Sequence, residues 1–275
     1  MHSKFNMQKL KSSLKYLFQI TNNLPVLDKI NFTLAKWVNR HKNLQFKKSN
    51  QYFRLPSDYY LYETYKLDYQ QYKEDGFLGA KEINDWSSKY LPEKKSILEW
   101  GCGVSRIIRH YENFINKDSK LFACDINSQM ISWNQQNITN VNFELIAYNP
   151  PTKYQENSFD FVYALSVFTH IESKYQKDWL IEIARILNNK GIFLFTTHGN
   201  YYFNKLNSSQ LNELNRFGTY TISYKKSGHR MMTTYNESNA FKKQIEDNFE
   251  ILEFYSGAEN TEKVGGQDLW IVRKK

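Results

Sequence analysis

The chain has 275 residues, 41% hydrophobic and 16% aromatic, enough to pack a core and too apolar for wholesale disorder. No stretch approaches ~18 uninterrupted apolar residues, which argues against a spanning helix, and the basic start lacks the apolar run and cleavage site of a signal peptide. The net charge of +9 is uneven: residues 1–50 hold ten Lys and Arg against Asp28 alone, leaving 27 basic and 27 acidic residues in a neutral remainder, which speaks against a nucleic-acid groove across the body.

In residues 8–20, Leu10, Leu14, Leu17 and Phe18 share one helical face, with lysines on the others. A second helix starts with Pro25 near its first turn, and Leu27, Ile30, Leu34, Trp37 and His41 recur at three- and four-residue spacing. Residues 1–50 therefore read as a basic amphipathic helical arm. It is expected either to dock on the core or a second subunit, or to rest peripherally on an anionic membrane surface. Nucleic acid and simple solubilisation stay open as further roles.

Residues 51–92 form a tyrosine-rich cap (Tyr52, Tyr59, Tyr60, Tyr62, Tyr65, Tyr69, Tyr72) that ends at Asp75-Gly76, followed by a lead-in helix over about 77–90. From 93 to 275 the pattern alternates. Strands are expected at 96–100, 120–124, 141–146, 159–165 and 191–197, with helices at 105–116, 127–136 and 172–189. A polar, aromatic insertion spans 198–235, before a helix at 237–246 and strands at 249–255 and 267–273. Such alternation implies an α/β fold with a parallel sheet covered on both faces.

The first of these strands ends in Ile97-Leu98-Glu99-Trp100-Gly101-Cys102-Gly103-Val104-Ser105-Arg106 and runs straight on into the helix expected from Ser105, whose free N–H groups would face the crevice. Glycines at 101 and 103 let the backbone turn tightly and approach a ligand where a Cβ would collide. The second strand ends in Asp125, 22 residues beyond Gly103, and a carboxylate there can accept both hydroxyls of a ribose. A dinucleotide-binding loop wants a third glycine three residues after the second, and position 106 is Arg. Cys102 and Cys124 make no disulfide framework and fit a reducing cytoplasm.

Glu99, Gly101 and Gly103 resemble the first motif of the class I S-adenosylmethionine-dependent methyltransferases, E/D-x-G-x-G-x-G, with Ser105 in place of the last glycine. The resemblance continues in Asn157-Ser158-Phe159-Asp160-Phe161-Val162, in Ser166–His170, in residues 181–195 with Lys190-Gly191 at the turn, and in the closing strand pair. It covers about residues 75–275. It implies a Rossmann-like, seven-stranded, mostly parallel sheet with an antiparallel last strand, and S-adenosyl-L-methionine as cofactor. It places Glu99 at the methionine end, Gly101, Cys102 and Gly103 along the cofactor, Asp125 on the ribose, and Ile126 and Met130 beside the adenine. Ile146, Ala147 and Leu165 are further cofactor-site candidates. The nearest group acts on small molecules and glycans. RNA or protein methylation and a non-catalytic cofactor-binding scaffold are the alternatives.

Asn149-Pro150-Pro151-Thr152 is similar to the N-P-P-aromatic motif of amino-directed nucleic-acid methyltransferases, but it follows the third strand and ends in Thr, so it reads as a turn. No acid cluster or zinc spacing suggests a metal. For a hydroxyl acceptor a base is useful, and ligands of this fold gather at the carboxyl ends of the strands. His170 and His198 lie just past the fourth and fifth strands and are the candidate catalytic residues; a structural or substrate-orienting role is the other reading of each. His229 is a weaker third candidate, and Tyr201, Tyr202, Phe203, Tyr220 and Tyr224 are expected either in an aromatic lid or in a hydrophobic cover on the sheet edge.

Overall fold

A computed structural model of the protein describes residues 24–223 and 232–275. The helix expected at 8–20, Tyr224 and His229 fall outside the described residues. The chain divides into two compact units, one up to Tyr72 and one over Lys73–Lys275.

In the first unit, helix α1 (Leu24–Ser49) packs on the tyrosine-rich segment. Phe32 meets the rings of Tyr59 and Tyr62 at 5.4 Å, and Phe46 meets Phe53 and Tyr69. Tyr59 and Tyr62 stand on α2 (Asp58–Thr64), whose first turn is capped by Ser57 accepting from the Tyr60 N–H. Polar groups close the same seam: Asn43 Nδ2 donates to the Leu67 carbonyl, Asn43 Oδ1 accepts from the Tyr69 N–H, and Lys42 pairs with Asp68 at 2.5 Å. The packed face is thus the one carrying Phe32, Asn43 and Phe46. The spacing of Leu27, Ile30, Leu34, Trp37 and His41 marks a different face, and there Ile30, Leu34 and Trp37 are exposed.

Helix α3 (Tyr69–Ser88) runs from this unit into the second. Gly76 ends no turn; it lies inside the helix, where a Cβ would sit 2.2 Å from the Arg106 carbonyl oxygen. The glycine is there for close approach, and the helix expected from about 77 already begins at Tyr69.

The second unit is built on a seven-stranded sheet ordered β3-β2-β1-β4-β5-β9-β8. Its strands are β1 (Ser96–Trp100), β2 (Lys120–Asp125), β3 (Val141–Leu145), β4 (Phe159–Ala164), β5 (Leu187–Thr197), β8 (Phe249–Tyr255) and β9 (Asp268–Lys274). β9 runs antiparallel to both β5 and β8, while β1 to β5 pair in parallel. Successive side chains go to opposite faces, as the period of two requires. Leu98, Trp100, Val162, Phe193 and Val272 pack in one core, and Ile97, Phe161, Tyr163, Ile192 and Ile271 in the other. Both faces are buried, so these strands read as continuous apolar runs. Helices α4 (Ser128–Asn137), α5 (Ser173–Ile186) and α7 (Ser238–Glu246) join the strands.

Three expectations need correction. Residues 105–116 are not an α-helix: turns lead to a 3-10 helix at Ile108–Phe114. The reason is Ser105, whose φ of 57° is left-handed and cannot propagate a right-handed helix. The helix after β4 stops at Ile186, and β5 already begins at Leu187 with a bulge, where Phe159 pairs with Leu187 but Phe161 with Ile192 and Lys190 takes a φ of 62°. The insertion is more regular than its composition suggests. It holds α6 (Ser208–Phe217), closed by an Asn207–Gln210 capping box and by Gly218 at φ 72°, and the strand pair β6 (Thr219–Ile222) and β7 (Thr233–Asn236).

Candidate active site

β1 and β2 are neighbours in register, Trp100 opposite Cys124, so the loop after β1 and the end of β2 open on the same rim. The N–H groups of Gly101 and Cys102 both donate to the Cys124 carbonyl, at 2.8 and 3.0 Å. Gly101 has φ 77° and Gly103 φ 52°, conformations that favour glycine. A Cβ on Gly101 would strike Val167 Cγ2 at 2.4 Å, so the glycine lets the turn after β4 close over the loop. Trp100 braces that closure with its ring edge-on to Phe168 and 4.5 Å from Trp179.

Asp125 is fixed from both sides. Its Oδ2 accepts the Gly103 N–H and its Oδ1 the Asn127 N–H, each at 2.8 Å. Burial pushes its pKa up, and these backbone donors pull it back. Asn127 also caps α4, accepting from the Gln129 and Met130 N–H groups. On that helix Asn134, fully buried, donates to the Gly103 carbonyl at 2.8 Å and clamps the loop from beneath.

Glu99 is 6% exposed at the end of β1, and its Oε2 accepts the Ile108 N–H at 3.2 Å. That N–H, expected to point into the crevice, is therefore spent on the carboxylate. Burial raises the Glu99 pKa to about 8, against the pull of the Ile108 N–H and the Arg106 charge. A buried carboxyl shifted so far from its ordinary range marks Glu99 as a candidate site residue.

The remaining candidates are spread around this rim. Ile126 is exposed just past β2, and Met130 is buried in the first turn of α4. Ala147 is exposed, and Ile146 packs into the core beside Trp100 and Trp179. Leu165 is half-buried beyond β4. Thr152 belongs elsewhere: its N–H and hydroxyl both donate to Glu182 Oε1, which Arg185 also holds, so the Asn149–Thr152 segment is anchored as a turn.

His170 ends the 3-10 turn after β4, Phe168–His170, its N–H bonded to the Val167 carbonyl. Its Nδ1 lies 2.7 Å from the Met232 carbonyl oxygen. A carbonyl only accepts, so Nδ1 carries the proton and Nε2 of the neutral ring is the basic nitrogen. His198 follows β5, its ring tilted against Tyr202 at 4.2 Å and against Tyr235 at 5.7 Å. Burial, with the charges of His170 and Lys205, lowers its pKa to about 3, so it is neutral at physiological pH but a feeble base. Its Nδ1 is buried with no hydrogen-bond partner, and so are both amide atoms of Asn236, whose N–H bonds the His198 carbonyl. Asn236 escaped the sequence reading, because one Asn just past a polar insertion carries no signal. Val167, Trp100 and Asn134 escaped it too, as ordinary apolar and helical residues.

A family model described as "Methyltransferase domain" matches residues 98–195, from β1 through β5. Residues 98–195 thus carry a methyltransferase domain. Its cofactor is S-adenosylmethionine, and the residues present fit it: the glycines leave the loop bare of Cβ atoms, Asp125 retains lone pairs on both oxygens, and Glu99 brings a buried carboxyl to the end of β1. The methyltransferase fold recurs in solved structures. An S-adenosylmethionine-dependent methyltransferase from Methanosarcina mazei superposes with a TM-score of 0.53 at 18% identity, over 69% of this chain and 96% of that one. The 1,6-didemethyltoxoflavin-N1-methyltransferase of Burkholderia thailandensis, solved with 1,6-didemethyltoxoflavin and S-adenosylhomocysteine, gives 0.50 at 13% identity, over 71% and 78%.

Proposed function

We propose that this methyltransferase acts on a small-molecule or glycan acceptor, at oxygen or nitrogen, with His170 as the group that takes the acceptor's proton. The observation that carries the reading is the 2.7 Å contact of His170 Nδ1 with the Met232 carbonyl, which fixes the ring and makes Nε2 its basic nitrogen. Bound S-adenosylmethionine supplies an electrophilic sulfonium methyl, so the transfer needs alignment above all. Glu99 would hold the amino end of the cofactor, Asp125 its ribose hydroxyls, and Ile126 and Met130 its adenine. Gly101, Cys102 and Gly103 would follow its length, and Ile146, Ala147 and Leu165 would border it.

His198 and the orphaned amide of Asn236 suit acceptor recognition better than proton transfer. A ring held near pKa 3 takes up protons poorly, yet an unpaired buried nitrogen and amide await a polar ligand. Around them Tyr202, Tyr220, Phe203 and Tyr235 pack with Leu206 and Leu214 into a small aromatic cluster. Flat aromatic walls favour a sugar ring or a planar acceptor and keep water away from the reacting centre. The Burkholderia thailandensis enzyme, an N1-methyltransferase solved with 1,6-didemethyltoxoflavin, acts on a small molecule. The neutral charge of the body gives RNA less to hold.

Incubation with methyl-labelled S-adenosylmethionine and fractionated cell extract tests this. Label is expected in the small-molecule or glycan fraction. Label in RNA or protein would replace the proposal, and cofactor binding without labelling of any fraction would make the chain a scaffold.

A further inference from the structure

Helix α1 packs one face on the tyrosine-rich segment through Phe32, Asn43 and Phe46 and leaves another apolar face uncovered. Val26, Ile30, Leu34, Trp37 and Val38 are 48–75% exposed, with Trp37 the most open. At 100° per residue they fall in one stripe on the side away from the packed residues. Lys29, Lys36, Arg40 and Lys47 run along one edge of that stripe, in steps of seven, four and seven residues, with Lys36 also paired with Asp58 at 3.1 Å and Lys47 lying over the Tyr69 ring. The helix carries six Lys and Arg against Asp28 alone.

We infer that this face docks on an anionic lipid bilayer, with the apolar stripe entering the headgroup boundary and the basic edge resting on the acidic headgroups. Apolar area and one-signed charge lie side by side, as interfacial helices require. Among the described residues no helix is long and apolar enough to cross a membrane, so this contact would be a surface one. A second copy is the poorer occupant. An antiparallel two-fold contact through this stripe would bring each basic edge toward its own image, and like charges would oppose it. The inference is independent of the acceptor and of the assignment of His170.

The experiment uses the full chain and sedimentation with vesicles. Phosphatidylcholine vesicles containing about 30% phosphatidylglycerol should carry the protein down, and pure phosphatidylcholine vesicles should not. Leu34→Asp/Trp37→Asp should weaken partitioning about tenfold or more, and so should Lys29→Glu/Arg40→Glu, with higher salt weakening the parent as well. All four positions are on the helix surface, and a parent-like helical circular dichroism spectrum and melting temperature would show that each variant is folded. Failure to sediment with the acidic vesicles would overturn the proposal. So would equal sedimentation with neutral ones, or parent-like behaviour of Leu34→Asp/Trp37→Asp. A lipid-free dimer that becomes monomeric in that variant would assign the face to a second copy instead.

Discussion

The backbone N–H of Gly103 donates to Asp125 Oδ2 at 2.8 Å, which ties the loop after β1 directly to the end of β2. The bond does more than close the rim. Together with the Asn127 N–H on Oδ1, it holds the carboxylate in one orientation and leaves lone pairs on both oxygens. A carboxylate fixed in this way is ready to accept two neighbouring hydroxyls without reorganising. Its desolvation makes those bonds stronger than the same pair would be in water.

Asp125→Ala should therefore weaken S-adenosylmethionine and its demethylated product by roughly 2–4 kcal/mol, the value of two charge-assisted hydrogen bonds. Asp125→Asn, which keeps one carbonyl acceptor, should fall between. Titration calorimetry on folded variants reads this directly, and an unchanged dissociation constant for Asp125→Ala would remove the ribose assignment. NAD should bind the parent far more weakly, since Arg106 stands where a pyrophosphate loop needs glycine.

Ser105 offers a test of the loop itself. It occupies the last glycine position of the motif, is fully buried, and adopts φ 57°. A left-handed residue other than glycine costs about 1–2 kcal/mol, while glycine gives back part of that in unfolded-state entropy. Ser105→Gly should hold or raise the melting temperature and keep cofactor affinity. Ser105→Val, β-branched in a left-handed site, should lower both. A Val variant as stable as the Gly one would mean that the backbone there is not set by this strain.

The sheet was legible because both its faces are buried, so each strand appears as an apolar run between turn residues, and Gly101, Gly103 and Asp125 punctuate the strand ends. What stayed illegible was fixed by tertiary contact. Gly76 reads as the end of the tyrosine-rich segment and serves, inside a helix, as a close approach to Arg106. Residues 105–107 read as a helix start, and one left-handed serine prevents it. The arm's spacing reveals an apolar stripe but not that Phe32 and Phe46, on another face, do the packing. His170 is visible as a rim residue, whereas its orientation comes from Met232, 62 residues away.

Glu99 predicts a pH dependence. Its pKa is raised to about 8 in the native protein by burial, so the folded state keeps the proton between about pH 4.5 and 8 while the unfolded chain releases it. The stability this contributes is present below the unfolded value and is lost as pH rises through the folded one. The ligand-free melting temperature should fall over that range, and Glu99→Gln should flatten the fall. A cationic amino group beside Glu99 would draw its pKa down, so cofactor binding near pH 7 should release a proton. Calorimetry in two buffers of different ionisation enthalpy measures that release, and identical binding heats in both would argue against Glu99 as the cation's partner.

The last prediction concerns His170, and it separates three roles. The Met232 carbonyl holds Nδ1–H, and the ring belongs to the same short turn as Val167, which closes over Gly101. If Nε2 takes the acceptor's proton, His170→Ala should lower kcat by roughly 10²–10⁴ and leave cofactor affinity nearly intact. The parent's turnover should rise with pH through the histidine range, and the variant should lose that limb. His198 cannot supply the same limb, because burial lowers its pKa to about 3. If His170 only orients the acceptor, KM should rise more than kcat falls and the limb should survive. If it braces the turn, the melting temperature and cofactor affinity should drop together, since Val167 would lose its seat on the glycine loop. Full activity in His170→Ala would leave the proton to solvent, which an acceptor already nucleophilic at neutral pH allows.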